Sequence, residues 1–260
     1  MKIKITILLL ALTLSASNFI NSQENNETSP PIPTFPVGLR IGAHNDFFSN
    51  TSENDFIGFG FENRFTFIAG FDVEVLRRQK WILTAGFFVK NIAQKYNYTF
   101  TPEQLDIGVG FTGGLTDSPY WTYHLPIEFL YRFNKNLNRP LFIKAGVEIQ
   151  HYGYTPGSYE QPVLRIDNQT ILTNSYEEFQ SPLTFGVNLG IAGDIYLKDY
   201  SKFRLALTSH YHFQKMDINR ITSTNIIGST DATSTHRWTG NYLNISLTYF
   251  PHEGFLDFLK

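Results

Sequence analysis

The chain has 260 residues, 21 Lys and Arg against 23 Asp and Glu, and a formal net charge of −2, which offers a polyanion no cationic surface and argues against nucleic-acid binding. It contains no cysteine, which excludes disulfides, thiolate metal centres, a cysteine nucleophile and a lipidated N-terminal cysteine. Charged residues make up 17% and aromatic residues 16%, a balance that suits a large apolar outer surface better than a soluble domain, where charged residues run to about 25%.

The N-terminus has the layout of a secretory signal. Lys2 and Lys4 precede an apolar run at residues 5–14, and small residues follow at Ser15, Ala16, Ser17 and Ser22. The apolar run is far shorter than the ~20 residues a spanning helix needs, so residues 1–22 read as a cleaved signal peptide, with cleavage after Ser22 or, alternatively, Ser17. Residues 23–36 hold Pro30, Pro31, Pro33 and Pro36 and read as an extended periplasmic lead-in.

From Val37 onward, apolar and polar residues alternate with the period of two that a strand imposes. The first strand sets Val37, Leu39, Ile41 and Ala43 against Gly38, Arg40, Gly42 and His44, and a polar loop is expected at 45–55. The second sets Phe65, Phe67, Ala69, Phe71, Val73 and Val75 against Thr66, Ile68, Gly70, Asp72 and Glu74, with the same parity reaching back to Ile57. After a tight turn at 77–80, the third carries Trp81, Leu83, Ala85, Phe87 and Val89 on one face and Thr84, Gly86 and Lys90 on the other. A long connection at 97–120 leads to the clearest strand, where Trp121, Tyr123, Leu125, Ile127, Phe129, Tyr131 and Phe133 alternate with Thr122, His124, Pro126, Glu128, Leu130 and Arg132.

A short turn at 134–139 precedes the fifth strand, in which Leu141, Ile143, Ala145, Val147 and Ile149 oppose Lys144, Gly146, Glu148 and Gln150. A long connection at 155–182 follows. The sixth sets Phe185, Val187, Leu189, Ile191 and Ile195 against Thr184, Asn188, Asp194 and Lys198. The third short turn, at 199–201, leads to the seventh, with Phe203, Leu205, Leu207, Tyr211 and Phe213 against Arg204, Thr208, His210 and His212. After a last long connection, Leu243, Ile245, Leu247 and Tyr249 face away from Asn244, Ser246 and Thr248 in the eighth.

Eight such strands joined by alternating long and short connections point to an all-β fold: an eight-stranded antiparallel up-and-down transmembrane β-barrel over residues 37–250, with short periplasmic turns and long outer loops. A soluble lipocalin-like barrel also has one apolar face, but turned inward. Three features favour the membrane form. The charged face also carries Gly38, Gly42, Gly70, Gly86, Gly146, Gly186 and Gly190, which suits a crowded lumen. The other face is almost free of charge. Its aromatics Trp81, Tyr131 and Phe133 gather at the turn end and Trp121, Tyr123, Tyr211 and Phe213 at the loop end, where interfacial belts lie. The expected location is integral to a bacterial outer membrane, with both termini periplasmic and residues 251–260 a periplasmic tail.

Gly38-Leu39-Arg40-Ile41-Gly42, the hairpin from Ala69-Gly70-Phe71 to Lys90, and Leu125-Pro126-Ile127-Glu128-Phe129-Leu130-Tyr131-Arg132-Phe133 with the following Ile143-Lys144-Ala145-Gly146 resemble the outer-membrane-protein β-barrel domain family, the PorT-like barrels of Gram-negative bacteria. The resemblance implies an eight-stranded outer-membrane barrel and no particular activity. A few members of that family are linked to protein secretion or gliding.

The inward parity carries Arg40, Lys90, Arg132, Lys144, Lys198 and Arg204 against Asp72, Glu74, Glu128, Glu148 and Asp194. A barrel of eight strands is just wide enough for side chains to fill, and buried charges must pair. The expectation is a salt-bridged plug, the alternative a narrow ion or solute path. His44, His124, His210 and His212 share that parity near the loop end. They form a candidate cluster for a metal or a proton, but a polar lumen needs such residues anyway, so no metal and no cofactor is expected. An outer-membrane lipid or peptide hydrolase would need a base beside a nucleophile; His124, Ser209, His210, Asp217 and Ser229 are ingredients, yet Ser209 has the lipid-facing parity, and a non-enzymatic structural or accessory barrel is the leading reading. Residues 108–114 are Gly-rich but lack the Lys-Ser/Thr pair of a phosphate loop. The long connections hold Tyr96, Tyr98, Tyr154, Tyr159, Tyr176 and Trp238, a composition that suits either a binding surface or a shield over the barrel mouth. Expected partners are outer-membrane lipid and other outer-membrane or periplasmic proteins.

Overall fold

Eight strands carry the alternation around a closed cylinder. In the computed structural model these are β1 (Val37–Glu53), β3 (Phe65–Arg77), β4 (Trp81–Ile92), β7 (Tyr120–Arg132), β8 (Leu141–Tyr152), β11 (Leu183–Tyr196), β12 (Lys202–His212) and β14 (Ala232–Phe250). Each pairs antiparallel with the next, and β14 returns to β1 from Leu39↔Tyr249 to Asp46↔Tyr242, which closes the ring. Closure leaves no barrel strand with an unpaired edge. The structure describes residues 36–252 except 54–58, 64, 93, 107, 109, 117–119, 137–138, 153–158, 167–168, 178–182, 199–200, 214–216 and 225–230. The expected signal segment 1–22, nearly all of the lead-in 23–36 and tail residues 253–260 lie outside the described residues.

The two parities separate as the pleat requires. Along β7 every odd residue from Trp121 to Tyr131 is exposed and every even residue from Thr122 to Leu130 is buried. The outer face presents Leu39, Ile41, Leu125, Ile127, Val147, Leu189, Ile191 and Leu205, all exposed. Exposed aromatics collect at both ends of this band. Tyr131 and Phe133 lie at the turn end, with a half-buried Trp81 whose ring packs 5.6 Å from Phe129. At the other end Trp121 meets Phe67 at 5.7 Å and Tyr211 meets Phe213 at 5.8 Å, while Tyr123 stacks on Phe87.

The inward face is tight enough that some positions have no room for a side chain. A Cβ on Gly70 would stand 2.1 Å from the Phe87 carbonyl oxygen and 2.5 Å from Phe88 Cα. The β4–β7 ladder breaks between Ala85↔Ile127 and Phe88↔His124, where Pro126 has no N–H to donate. Its ring fills the space over Gly86, whose Cβ would lie 3.4 Å from Pro126 Cγ. Short turns close the end of the barrel opposite the long connections. Asn134 shapes one of them, accepting from Leu141 N–H at 2.8 Å and donating to the Arg139 carbonyl at 2.8 Å.

The long connections depart from the loops expected of them. They contain β2 (Phe59–Asn63), β5 (Gln94–Phe100), a one-turn helix α1 (Pro102–Leu105), β6 (Phe111–Thr116), β9 (Tyr159–Ile166), β10 (Gln169–Glu177) and β13 (Asp217–Ser223). The expected polar loop at 45–55 is largely strand as well, since β1 runs on to Glu53 and pairs with β14 as far as Thr233. β14 pairs with β13 from Ala232 to Trp238 and with β12 from Tyr242 to Phe250. The change of partner falls at Gly240, whose φ of 75° is a conformation that glycine adopts without cost. β13, β10 and β9 continue the barrel sheet, while β2, β5 and β6 form a separate one. A small apolar core joins the two sheets: Tyr98 and Phe100 from β5, Leu105 from α1, Leu164 from β9, Ile171 and Leu172 from β10, and Ile221 from β13. Burial of these side chains is the physical reason these strands pack together, and a single-strand parity reading has no access to it.

Candidate functional site in the barrel lumen

Ion pairs fill the lumen in three groups from the turn end toward the long connections. Six cations (Arg40, Arg77, Lys90, Lys144, Lys202, Arg204) and six carboxylates (Asp46, Asp72, Glu74, Glu128, Glu148, Asp194) line it; five of the carboxylates pair with Lys or Arg, and Glu148 pairs with histidines.

At the turn end Arg204 donates through Nε to Asp194 Oδ1 at 2.7 Å and through Nη2 to Glu74 Oε1 at 2.6 Å. Lys202 Nζ joins the same two carboxylates, at 2.5 Å from Glu74 and 3.2 Å from Asp194. Arg77 reaches Glu74 Oε2 at 3.4 Å and bonds the Tyr196 hydroxyl. The Phe250 ring lies 4.4 Å from Lys202 Nζ and 5.2 Å from the Arg204 guanidinium, placing the ring face against both cations. Ile82, Leu130, Phe142, Ala192 and Ala206 pack into an apolar cluster on the inward parity at this end.

In the middle group Arg40 clamps Asp72 with two bonds, Nη2–Oδ1 at 2.7 Å and Nε–Oδ2 at 2.9 Å, and extends Nη2 to Glu128 Oε2 at 3.3 Å. Lys144 Nζ holds Glu128 Oε1 at 2.9 Å, and Thr248 donates to Asp72 Oδ2 at 2.9 Å. The third group contains the histidines. Lys90 pairs with Asp46 and sits 3.8 Å over the Tyr242 ring. His44 places Nδ1 3.2 Å from Asp46 Oδ2, with Nε2 near Thr66 Oγ1 and the Asn91 carbonyl. The other three histidines surround Glu148: His124 Nδ1 bonds Oε1, His210 Nδ1 meets Oε2 at 2.5 Å, and His212 Nε2 lies 3.6 Å from Oε1. The Tyr242 hydroxyl donates to Oε1 at 3.0 Å.

No family model and no curated protein matches the chain. Solved structures do match in outline. The outer membrane protein OprG of Pseudomonas aeruginosa is 10% identical, with 86% of this chain and 99% of that one covered at a TM-score of 0.43. A major outer membrane protein of Thermus thermophilus is 15% identical, with coverage of 82% and 98% and a TM-score of 0.39. The outer membrane protein AlkL is 11% identical, with coverage of 88% and 95% and a TM-score of 0.32. The neighbours are outer-membrane barrels, and the likeness is one of fold alone.

Of the lumen residues expected from parity, Arg40, Asp72, Glu74, Lys90, Glu128, Lys144, Glu148, Asp194 and Arg204 are buried in these groups. Two differ. Lys198 is exposed, because β11 ends at Tyr196 and Lys198 falls in the turn beyond it. Arg132, the last residue of β7, is half-buried at the rim and takes no part in the ion pairs of the described residues. The parity reading also missed Lys202, Asp46 and Tyr242, which continue the inward parity of Arg204, His44 and Asn244 but lie just outside the strand limits drawn from sequence. Arg77 was not readable that way, because a register shift between Glu74 and Leu76 resets the alternation.

Of the hydrolase ingredients, the described side chains bring no serine to the histidines: His124 and His210 share Glu148. Ser209 is exposed on the outer face, opposite in parity to the buried His210. Ser229 lies outside the described residues, as does the Asp217 side chain. Among the loop aromatics Tyr98 is buried in the core between the two extension sheets. Tyr154 and the side chains of Tyr96, Tyr159, Tyr176 and Trp238 lie outside the described residues.

Proposed function

We propose that this protein is a non-conducting, non-enzymatic barrel of a bacterial outer membrane, oriented with both termini periplasmic and the β-rich extension outward. The observation that carries the reading is the set of cross-lumen bonds, one in each group. Arg204 on β12 reaches Glu74 on β3, Arg40 on β1 reaches Glu128 on β7, and Tyr242 on β14 reaches Glu148 on β8. Each bond spans three strand-to-strand steps around an eight-strand ring. Opening a path through any group would strand buried charges at a cost of several kcal/mol per ion. Purified protein in planar bilayers should therefore show no stable unitary conductance; ion-selective steps that persist across preparations would overturn the reading.

The extension supports a reading of the role. Its own apolar core holds β9, β10 and β13 as a continuation of the barrel wall, a folded surface of the kind an assembly subunit presents to a partner. We assign the protein as an accessory or structural subunit of a secretion or surface assembly, a role to which a few members of the PorT-like family it resembles are linked. Crosslinking in native membranes followed by mass spectrometry tests this. A reproducible outer-membrane or periplasmic partner is expected, and recovery of the barrel alone would leave a stand-alone structural protein.

A further inference from the structure

Glu148 differs from the other buried lumen carboxylates. Asp46, Asp72, Glu74, Glu128 and Asp194 each pair with Lys or Arg. Among the described residues, the ion-pair partners of Glu148 are His124, His210 and His212. A buried carboxylate needs a positive charge beside it, and a histidine supplies one only when protonated. The unmet charge therefore has two candidate sources: protons on these rings, or a bound cation.

The hydrogen-bond pattern favours the cation. His212 is buried, and its Nε2 makes no hydrogen bond although it lies 3.6 Å from Glu148 Oε1. Its other nitrogen, Nδ1, is 3.4 Å from Thr184 Oγ1, which suits a tautomer that donates from Nδ1 and leaves the Nε2 lone pair facing the carboxylate. His124 is arranged in the same sense, with Nε2 2.8 Å from Thr122 Oγ1 and Nδ1 on Glu148. With Nε2–H donated to Thr122, the Nδ1 lone pair faces Glu148 Oε1, a contact that needs a cation, proton or metal, between the two atoms. His210 braces the carboxylate from the far side through Oε2, and Asn244 Nδ2 donates to its Nε2 at 2.7 Å. Hydrogen-bonded partners on the outer nitrogens of two imidazoles are what metal-ligating histidines use to fix their tautomer.

We propose that the lumen holds a divalent transition-metal ion of the zinc class, ligated by His124 Nδ1, His212 Nε2 and Glu148. Their donor atoms all lie within 4.8 Å of one another. Two imidazoles and one carboxylate form a borderline donor set suited to zinc, and three protein ligands leave a fourth position for water. His210, Thr122 and Thr184 are positioning residues. The ion ties β7, β8 and β12 together near the loop end of the lumen, so its role is structural in the first instance. The site lies behind buried side chains, so loading belongs to folding. The inference does not depend on whether the lumen conducts.

The test uses the mature chain without a polyhistidine tag, refolded in detergent with Zn²⁺ or Co²⁺ and dialysed against metal-free buffer. Metal per chain is read by mass spectrometry, and Co²⁺ coordination by its visible absorption bands. Wild type should retain one ion with a four-coordinate Co²⁺ spectrum, as should His151→Ala, which removes an exposed histidine on the outer face. His212→Ala should lose the ion and the spectrum. Thr122→Val should fold and weaken binding on the order of 10–100-fold, the usual effect of removing a ligand's hydrogen-bond partner. Thr122→Val keeps the test open if His212→Ala fails to fold, with folding judged by heat-dependent gel mobility. Folded wild type that leaves dialysis metal-free overturns the proposal, as do variants that bind like wild type. Nitrogen NMR showing a doubly protonated His212 that Zn²⁺ does not perturb would assign the missing charge to a proton instead.

Discussion

Arg204 and Glu74 meet across the lumen at 2.6 Å although 130 residues separate them in the chain. Glu74 also accepts from Lys202 and Arg77, while Asp194 takes the other side of the guanidinium. Removing Arg204 leaves two buried carboxylates sharing Lys202 and Arg77. We expect Arg204→Ala to destabilise the barrel by about 3–5 kcal/mol, the range for breaking a buried pair. Urea unfolding in detergent micelles, followed by tryptophan fluorescence, measures it; a loss below about 1 kcal/mol would mean that the pair is already solvated.

The outer face can be tested for lipid contact at Leu189, near the middle of β11 and 62% exposed. In a bilayer, Leu189→Arg should cost about 2–4 kcal/mol, as a cation does at the midplane of a membrane barrel. Equilibrium folding into lipid vesicles reads this directly. An unchanged folding free energy would place that face in water.

Glycines divide by what surrounds them. Gly70→Ala forces a methyl to within 2.1 Å of a backbone oxygen, whereas a Cβ on Gly108 meets nothing within 4 Å. Gly70→Ala should sharply lower refolding yield, and Gly108→Ala should fold like wild type. Equal yields for the two would show that the β3–β4 backbone yields without cost.

The extension should unfold separately from the barrel. Leu172 is fully buried in the core that joins the two extension sheets, and Leu172→Ala should cost about 2–5 kcal/mol there. Hydrogen exchange should accelerate in β9, β10 and β13 while β11 and β12 keep their protection. Uniform acceleration around the barrel would make extension and barrel one cooperative unit.

Strand identity and facing were legible in the sequence because the pleat is local: each residue's side follows from its neighbours. That made Arg40, Glu128, Lys144 and Glu148 readable as inward, the aromatics of β7 as outward, and the eight strands countable. The same reading stopped short at Asp46, Lys202 and Tyr242, because parity does not mark where a strand ends, and it failed at Arg77, because a bulge resets it. The extension was hidden for a different reason. Its core is assembled from strands far apart in the chain, and no single segment shows the apolar face it will bury.

By itself, then, the sequence determined a two-faced chain with an apolar outer wall and an interior of nearly balanced charge, because alternation and composition are properties of the chain alone. The tertiary structure decided which charge meets which. Register and closure bring Glu148 of β8 against His124 of β7 and His210 and His212 of β12, and lay Arg40 across to Glu128. Those encounters depend on the stagger of eight strands around a ring, a quantity that no local pattern encodes.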